Sequence, residues 1–194
     1  MTKTLLALPA MALYLGAAGL LWRSLRLGGD TNRSSRTGLF ALAAGALILH
    51  AAILHSDLFQ GELHLGLINS ASLVAWAVTL LFLLASWFKP IESLGMLIFP
   101  IVALALCGEW LWPSRVTVLP GASTVQAAHL VISLLAYSLL SVALLQSLML
   151  GLQERALHRR QAGGVLRNLP PLETMELLLF RMVAVGFALL TLTL

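Results

Sequence analysis

A chain of 194 residues that is 59% hydrophobic and only 10% charged, with a mean hydropathy of +0.93, lies far outside the range of a water-soluble domain. Its net charge of +4 does not signal nucleic acid, because the basic residues stand beside the ends of apolar runs, where positive charge sets membrane topology. The runs are continuous and lack period-two alternation, which excludes a lipid-facing β-barrel and predicts an all-α, polytopic transmembrane helix bundle surrounded by membrane lipid.

Six spans of about 20 apolar residues, the length that crosses roughly 30 Å of hydrocarbon, are predicted at 5–26, 37–56, 64–88, 91–112, 124–153 and 173–194, with residues 1–194 forming a single transmembrane domain. Arginines follow the first span where a signal peptide would have a small-residue cleavage site, so this segment is expected to stay as the first helix. Arg23, Arg26, Arg33, Arg36, Lys89, Arg155, Arg159, Arg160 and Arg167 put nine basic residues on one side, against Lys3 and Arg115 on the other. The positive-inside rule then predicts the N-terminus outside and the basic loops in the cytoplasm.

Along the second span, His50 is expected about 18 Å up the helix and His55 at its outer end; five residues apart, they point about 140° from each other and cannot share one ion as an i, i+4 pair could. His64 is expected to open the third helix, whose residues Asn69, Ser72, Trp76, Thr79 and Leu83 follow three- and four-residue steps and so face another helix. Asn69 suits a helix–helix hydrogen bond or a ligand contact. Pro100 is expected to kink the fourth helix, and no acid is expected inside the membrane. The lone Cys107 can form neither an internal disulfide nor a CxxC pair, and packing explains it.

Glu109, Trp110, Trp112 and Arg115 form an outer-loop cluster. Its tryptophans serve as bilayer anchors or, with Arg115 gripping a carboxylate, as an aromatic platform. The fifth span carries His129, Ser133, Tyr137 and Ser141 at four-residue spacing, one polar edge on an otherwise lipid-compatible helix. That edge is expected to face protein or a cofactor. An imidazole there suits a metal or haem-iron ligand, because its neutral form has no charge to desolvate, and it suits equally a polar interhelical contact. Arg181 in the sixth span is expected to snorkel or to pair with Glu92 or Glu176. There is no HExxH, no zinc-spaced Cys/His cluster, no phosphate-cradling glycine loop and no Ser-His-Asp candidate, so an enzyme is not expected.

His129-(x)7-Tyr137 with Ser141-Val142-Ala143 and Gln146, then Phe180-Arg181-(x)4-Gly186-Phe187-(x)2-Leu190-Thr191, resembles the cytochrome c assembly (CcsA/ResC-like) family. The likeness is closest to the YpjD/HemX-like inner-membrane branch. It extends through Leu67-(x)-Asn69-(x)2-Ser72-Leu73-Val74 and Pro170-Pro171-Leu172-Glu173. The resemblance implies a protein of the bacterial inner membrane that handles haem at the periplasmic face, with other cytochrome c biogenesis proteins as partners. It implies haem as cofactor, His129 as an external iron ligand, and Tyr137 and Arg115 as cofactor-binding residues, with His50 as the second candidate ligand. Similar proteins continue through further helices bearing two later histidines and use a WGxxWxWD-type segment that Trp110 and Trp112 do not reproduce. The chain is therefore expected to be a C-terminally incomplete or short member, and to bind haem weakly on its own. The alternative that the YpjD/HemX-like branch implies is a non-catalytic membrane partner or regulator without haem ligation.

Overall fold

A bilayer core offers no water to backbone N–H and C=O groups, so a long apolar run satisfies them internally by folding as a helix. The computed structural model describes residues 2–26, 33–58, 63–88, 91–112, 117–119, 123–158 and 171–193. The elements are α1 (Thr2–Arg26), α2 (Arg33–Leu58), β1 (Leu63–Leu65), α3 (Leu67–Phe88), a 3-10 turn (Glu92–Leu94) leading into α4 (Gly95–Leu111), β2 (Thr117–Leu119), α5 (Thr124–His158) and α6 (Leu172–Leu192). Among the described residues six helical segments are long and apolar enough to cross a membrane. The protein is a multi-pass membrane helix bundle.

The predicted spans match these helices closely, with one correction at the start of α3. His64 lies in β1, not in a helix, because Leu63–Leu65 pairs antiparallel with Thr117–Leu119 in the register Leu63↔Leu119, His64↔Val118 and Leu65↔Thr117. The ladder gives both connections backbone partners and fastens the end of α2 to the region beyond α4. Helix α3 then begins after Gly66, whose carbonyl accepts the Ser70 N–H at 2.8 Å.

Helices α1 to α4 form the closed part of the bundle. Ala7, Ala10, Tyr14, Ala17 and Leu21 recur at three- and four-residue steps on α1 and are all buried, as are Ala43 and Ala46 of α2. Small residues let the helix backbones approach, which matters in lipid because apolar side chains gain little by leaving it. Phe99 of α4 stacks on Tyr14 with ring centroids 6.1 Å apart and meets Phe82 of α3 edge-on at 5.5 Å. Trp76 on the α3 stripe donates to the Leu47 carbonyl at 3.1 Å, so the stripe faces α2 as its spacing predicts.

At the end of the bundle away from the β-ladder, Arg36 Nε sits 2.7 Å from Glu92 Oε1 and its Nη2 donates to the Ser86 carbonyl at 3.1 Å. Glu92 is thus paired with Arg36 and not, as expected, with Arg181. Arg181 is exposed on α6, without an ion pair among the described residues, because α6 packs on α5. The α5–α6 contact is made by Gln146, which donates to the Met175 carbonyl at 3.1 Å, and by Gly186, where an added Cβ would come within 2.9 Å of Leu140 Cγ. Helix α5 in turn packs against α3.

Candidate functional site

The polar edge of α5 looks away from the bundle. His129 is exposed, Tyr137 is 54% exposed, and the Ser141 hydroxyl is turned back onto the Tyr137 carbonyl at 2.7 Å. The buried face of α5 is instead Ala136, Ser138, Val142, Ala143, Gln146, Met149 and Gln153. The expectation that the stripe meets protein is corrected for the described residues: the small and amide side chains make the packing face and leave the imidazole and phenol outside. Arg115 lies outside the described residues.

His50 has the opposite environment. It is fully buried, its Nδ1 lies 3.3 Å from the Tyr14 hydroxyl, and its Nε2 lies 2.9 Å from Ser72 Oγ. The Ser72 hydroxyl in turn donates to Glu109 Oε2 in a short hydrogen bond. One chain of polar groups therefore joins α1, α2, α3 and α4 through Tyr14, His50, Ser72 and Glu109, none more than 1% exposed. Its direction follows from donor arithmetic. A serine hydroxyl has one proton, which goes to Glu109, so Ser72 Oγ accepts from His50 Nε2–H; the other ring nitrogen then accepts from the Tyr14 hydroxyl. Thr79 supplies Tyr14 with a further hydrogen-bond neighbour.

Several expectations change here. Glu109 is not part of an outer loop: it occupies the last turn of α4, buried in the bundle, so a candidate membrane span does contain an acid. Trp110 and Trp112 separate, since Trp110 donates to Thr4 Oγ1 at 3.2 Å while Trp112 is 66% exposed. The histidines differ in setting, with His50 inside the bundle and His55 and His129 on exposed faces. Sequence periodicity flagged Ser72 but missed its partners. Tyr14 stands alone in an apolar run, and its only signal is the set of alanines one turn to either side of it.

The cytochrome c assembly protein family model matches residues 36–194, which takes in α2 to α6. The chain belongs to the cytochrome c assembly protein family. No curated protein and no solved structure matches it. The family membership gives this multi-pass membrane protein a role in cytochrome c biogenesis. Helix α1 precedes the matched region and contributes Tyr14 to the buried chain.

Haem handling is associated with the cytochrome c assembly family, and the histidines differ in their fit to it. His129 presents an accessible imidazole on a helix anchored by its opposite face, which suits an axial iron ligand. His50 does not suit one. Both its ring nitrogens are engaged, and the nearby recess lined by Lys3, Ala7, Ile53, Leu106, Glu109 and Trp110 has no room even for a water molecule. Among the described residues no three His, Cys, Asp or Glu side chains gather as a metal cluster, but an axial haem ligand needs only one imidazole.

Proposed function

We propose that this cytochrome c assembly family member handles haem at the periplasmic face of a bacterial inner membrane, as a binding component and not as an enzyme. The observation that carries the proposal is the exposed His129 on α5, in the stretch that carries the resemblance to the family's external ligand. In this role His129 offers iron a neutral nitrogen, Tyr137 and Ser133 continue the same face of α5, and Arg115 neutralises a propionate. Bound haem would supply the iron and porphyrin that are to be passed on; the protein's part is to hold and orient them. The chain's partners are then other cytochrome c biogenesis proteins.

Haemin titration of the purified chain in detergent tests this role. His129→Ala is expected to remove most of the Soret change and to leave the melting temperature unaltered, because the side chain is exposed. Equal Soret changes in the two proteins would exclude this ligand. No haemin binding by either would favour a YpjD/HemX-like partner or regulator, for which the outward edge of α5 is a docking face.

Orientation has its own test. In a Cys107→Ser background, Ser123→Cys lies at the exposed start of α5 and Glu154→Cys near its exposed basic end. An impermeant maleimide applied to intact cells is expected to label the first and spare the second, and the reverse would invert the membrane topology.

A further inference from the structure

We propose that Glu109, Ser72 and Asn69, with His50 behind them, form a proton-loading site inside the membrane, near the end of the bundle that carries the β-ladder. It does not depend on haem binding by His129.

The bundle carries more ionisable groups than simple adhesion requires. Serine, threonine and asparagine suffice to hold helices together in lipid, whereas acids and imidazoles are expensive there and mark ion or proton sites. Here a phenol, an imidazole and a carboxyl are joined through one hydroxyl in a continuous buried chain. The carboxyl is at the shallow end. Glu109 sits two residues before the end of α4, whereas Tyr14 lies about 18 Å along α1 at 1.5 Å per residue. Half-buried Lys3 and Trp110 line the recess over Glu109.

A second buried group is left over in the chain as drawn. Asn69 is 6% exposed, lies three residues before Ser72 on the same buried face of α3, and its Oδ1 has no hydrogen-bond partner among the described residues. Loading gives it one. One proton passes from hydronium to Glu109 Oε2: an O–H bond of hydronium breaks, water is released, and the carboxylic O–H forms. The new carboxylic O–H donates to Ser72 Oγ, the Ser72 proton turns to Asn69 Oδ1, and His50 Nε2–H continues to donate to Ser72. Ser72 then accepts twice and donates once, the full capacity of a hydroxyl. The two states differ by one proton and one rotated hydroxyl.

The titratable and polar groups around Glu109 are Lys3 and Tyr14 from α1, His50 from α2 with exposed His55 at its end, and Ser72 and Asn69 from α3. Cys107 and Trp110 neighbour it on α4, and α5 carries His129 on its exposed face.

Infrared difference spectroscopy of the detergent-solubilised chain during acidification reads the loading directly. A carboxylic-acid C=O band is expected to grow with falling pH and to be absent from Glu109→Gln. Should that variant fail to accumulate, Glu109→Asp moves the band to the aspartic position. Asn69→Leu, close in volume, takes the acceptor from the loaded state only, so proton affinity should fall about fivefold, the worth of one ordinary hydrogen bond, and the midpoint should move to lower pH. A purely structural network predicts otherwise. A Glu109 carboxyl that stays in one form across the pH range in which the protein is folded, or a midpoint unmoved by Asn69→Leu, would overturn the proposal.

Discussion

Replacing His50 with alanine is expected to cost about 3 kcal/mol of bundle stability, and replacing it with leucine about 1 kcal/mol. The two substitutions separate shape from polarity. Alanine leaves a cavity where α1, α2, α3 and α4 meet, and the lining cannot collapse because Tyr14 is stacked on Phe99. Leucine fills most of that space but cuts the chain, stranding the Tyr14 hydroxyl from Nδ1 and Ser72 Oγ from Nε2. The polar loss is kept small because Ser72 retains Glu109 and the freed Tyr14 proton can turn to the neighbouring Thr79 hydroxyl. Unfolding by denaturing detergent or by heat measures both variants. Equal losses would mean that hydrogen bonding outweighs packing, and no loss in either would refute the four-helix junction.

Gly95→Ala is the second large effect, with an expected loss of about 1–3 kcal/mol from overpacking. A Cβ at this position would stand 2.7 Å from Leu21 Cδ1, 2.9 Å from Phe82 Cζ and 3.0 Å from Phe99 Cε2. Leu21 can turn aside, but the two rings hold each other edge-on, and Phe99 also stacks on Tyr14. The strain therefore reaches the buried chain. Gly19→Ala is the matched control, since nothing lies within 4 Å of its Cβ position, and it should melt at or slightly above the parent temperature. Identical melting of the two variants would show that the start of α4 is not packed as described.

Helix number and span limits were legible in the sequence because the bilayer leaves an apolar run one backbone solution. The facing of α3 was legible too, its polar residues being too many for lipid. The direction of the α5 edge was not legible for a physical reason: a four-residue repeat shows that His129, Ser133, Tyr137 and Ser141 share a face but not where the face points. In water apolar residues would decide that, but lipid is as apolar as a core, so Ala136 and Ala143 pack inward just as well. Glu109 was hidden by its neighbours, since an acid beside Trp110 and Trp112 has the composition of a loop. The β-ladder involves three residues a side, too few for a pattern to emerge. His50 drew notice for its chemistry, and what its chemistry does is decided by Tyr14 and Ser72, 36 and 22 residues away.

The order in which the four buried polar residues occur along the chain bears on how the protein is made. Tyr14, His50, Ser72 and Glu109 emerge from the ribosome one helix at a time, and the last of them emerges before α5 does. Until then the set is incomplete: Tyr14 waits for His50, His50 for Ser72 and Ser72 for Glu109. Full pairing of the set therefore waits for residue 109, after which α1 to α4 can pack together. Helices α5 and α6, joined by the Gln146 amide on the Met175 carbonyl, arrive afterwards as a hairpin on a finished surface.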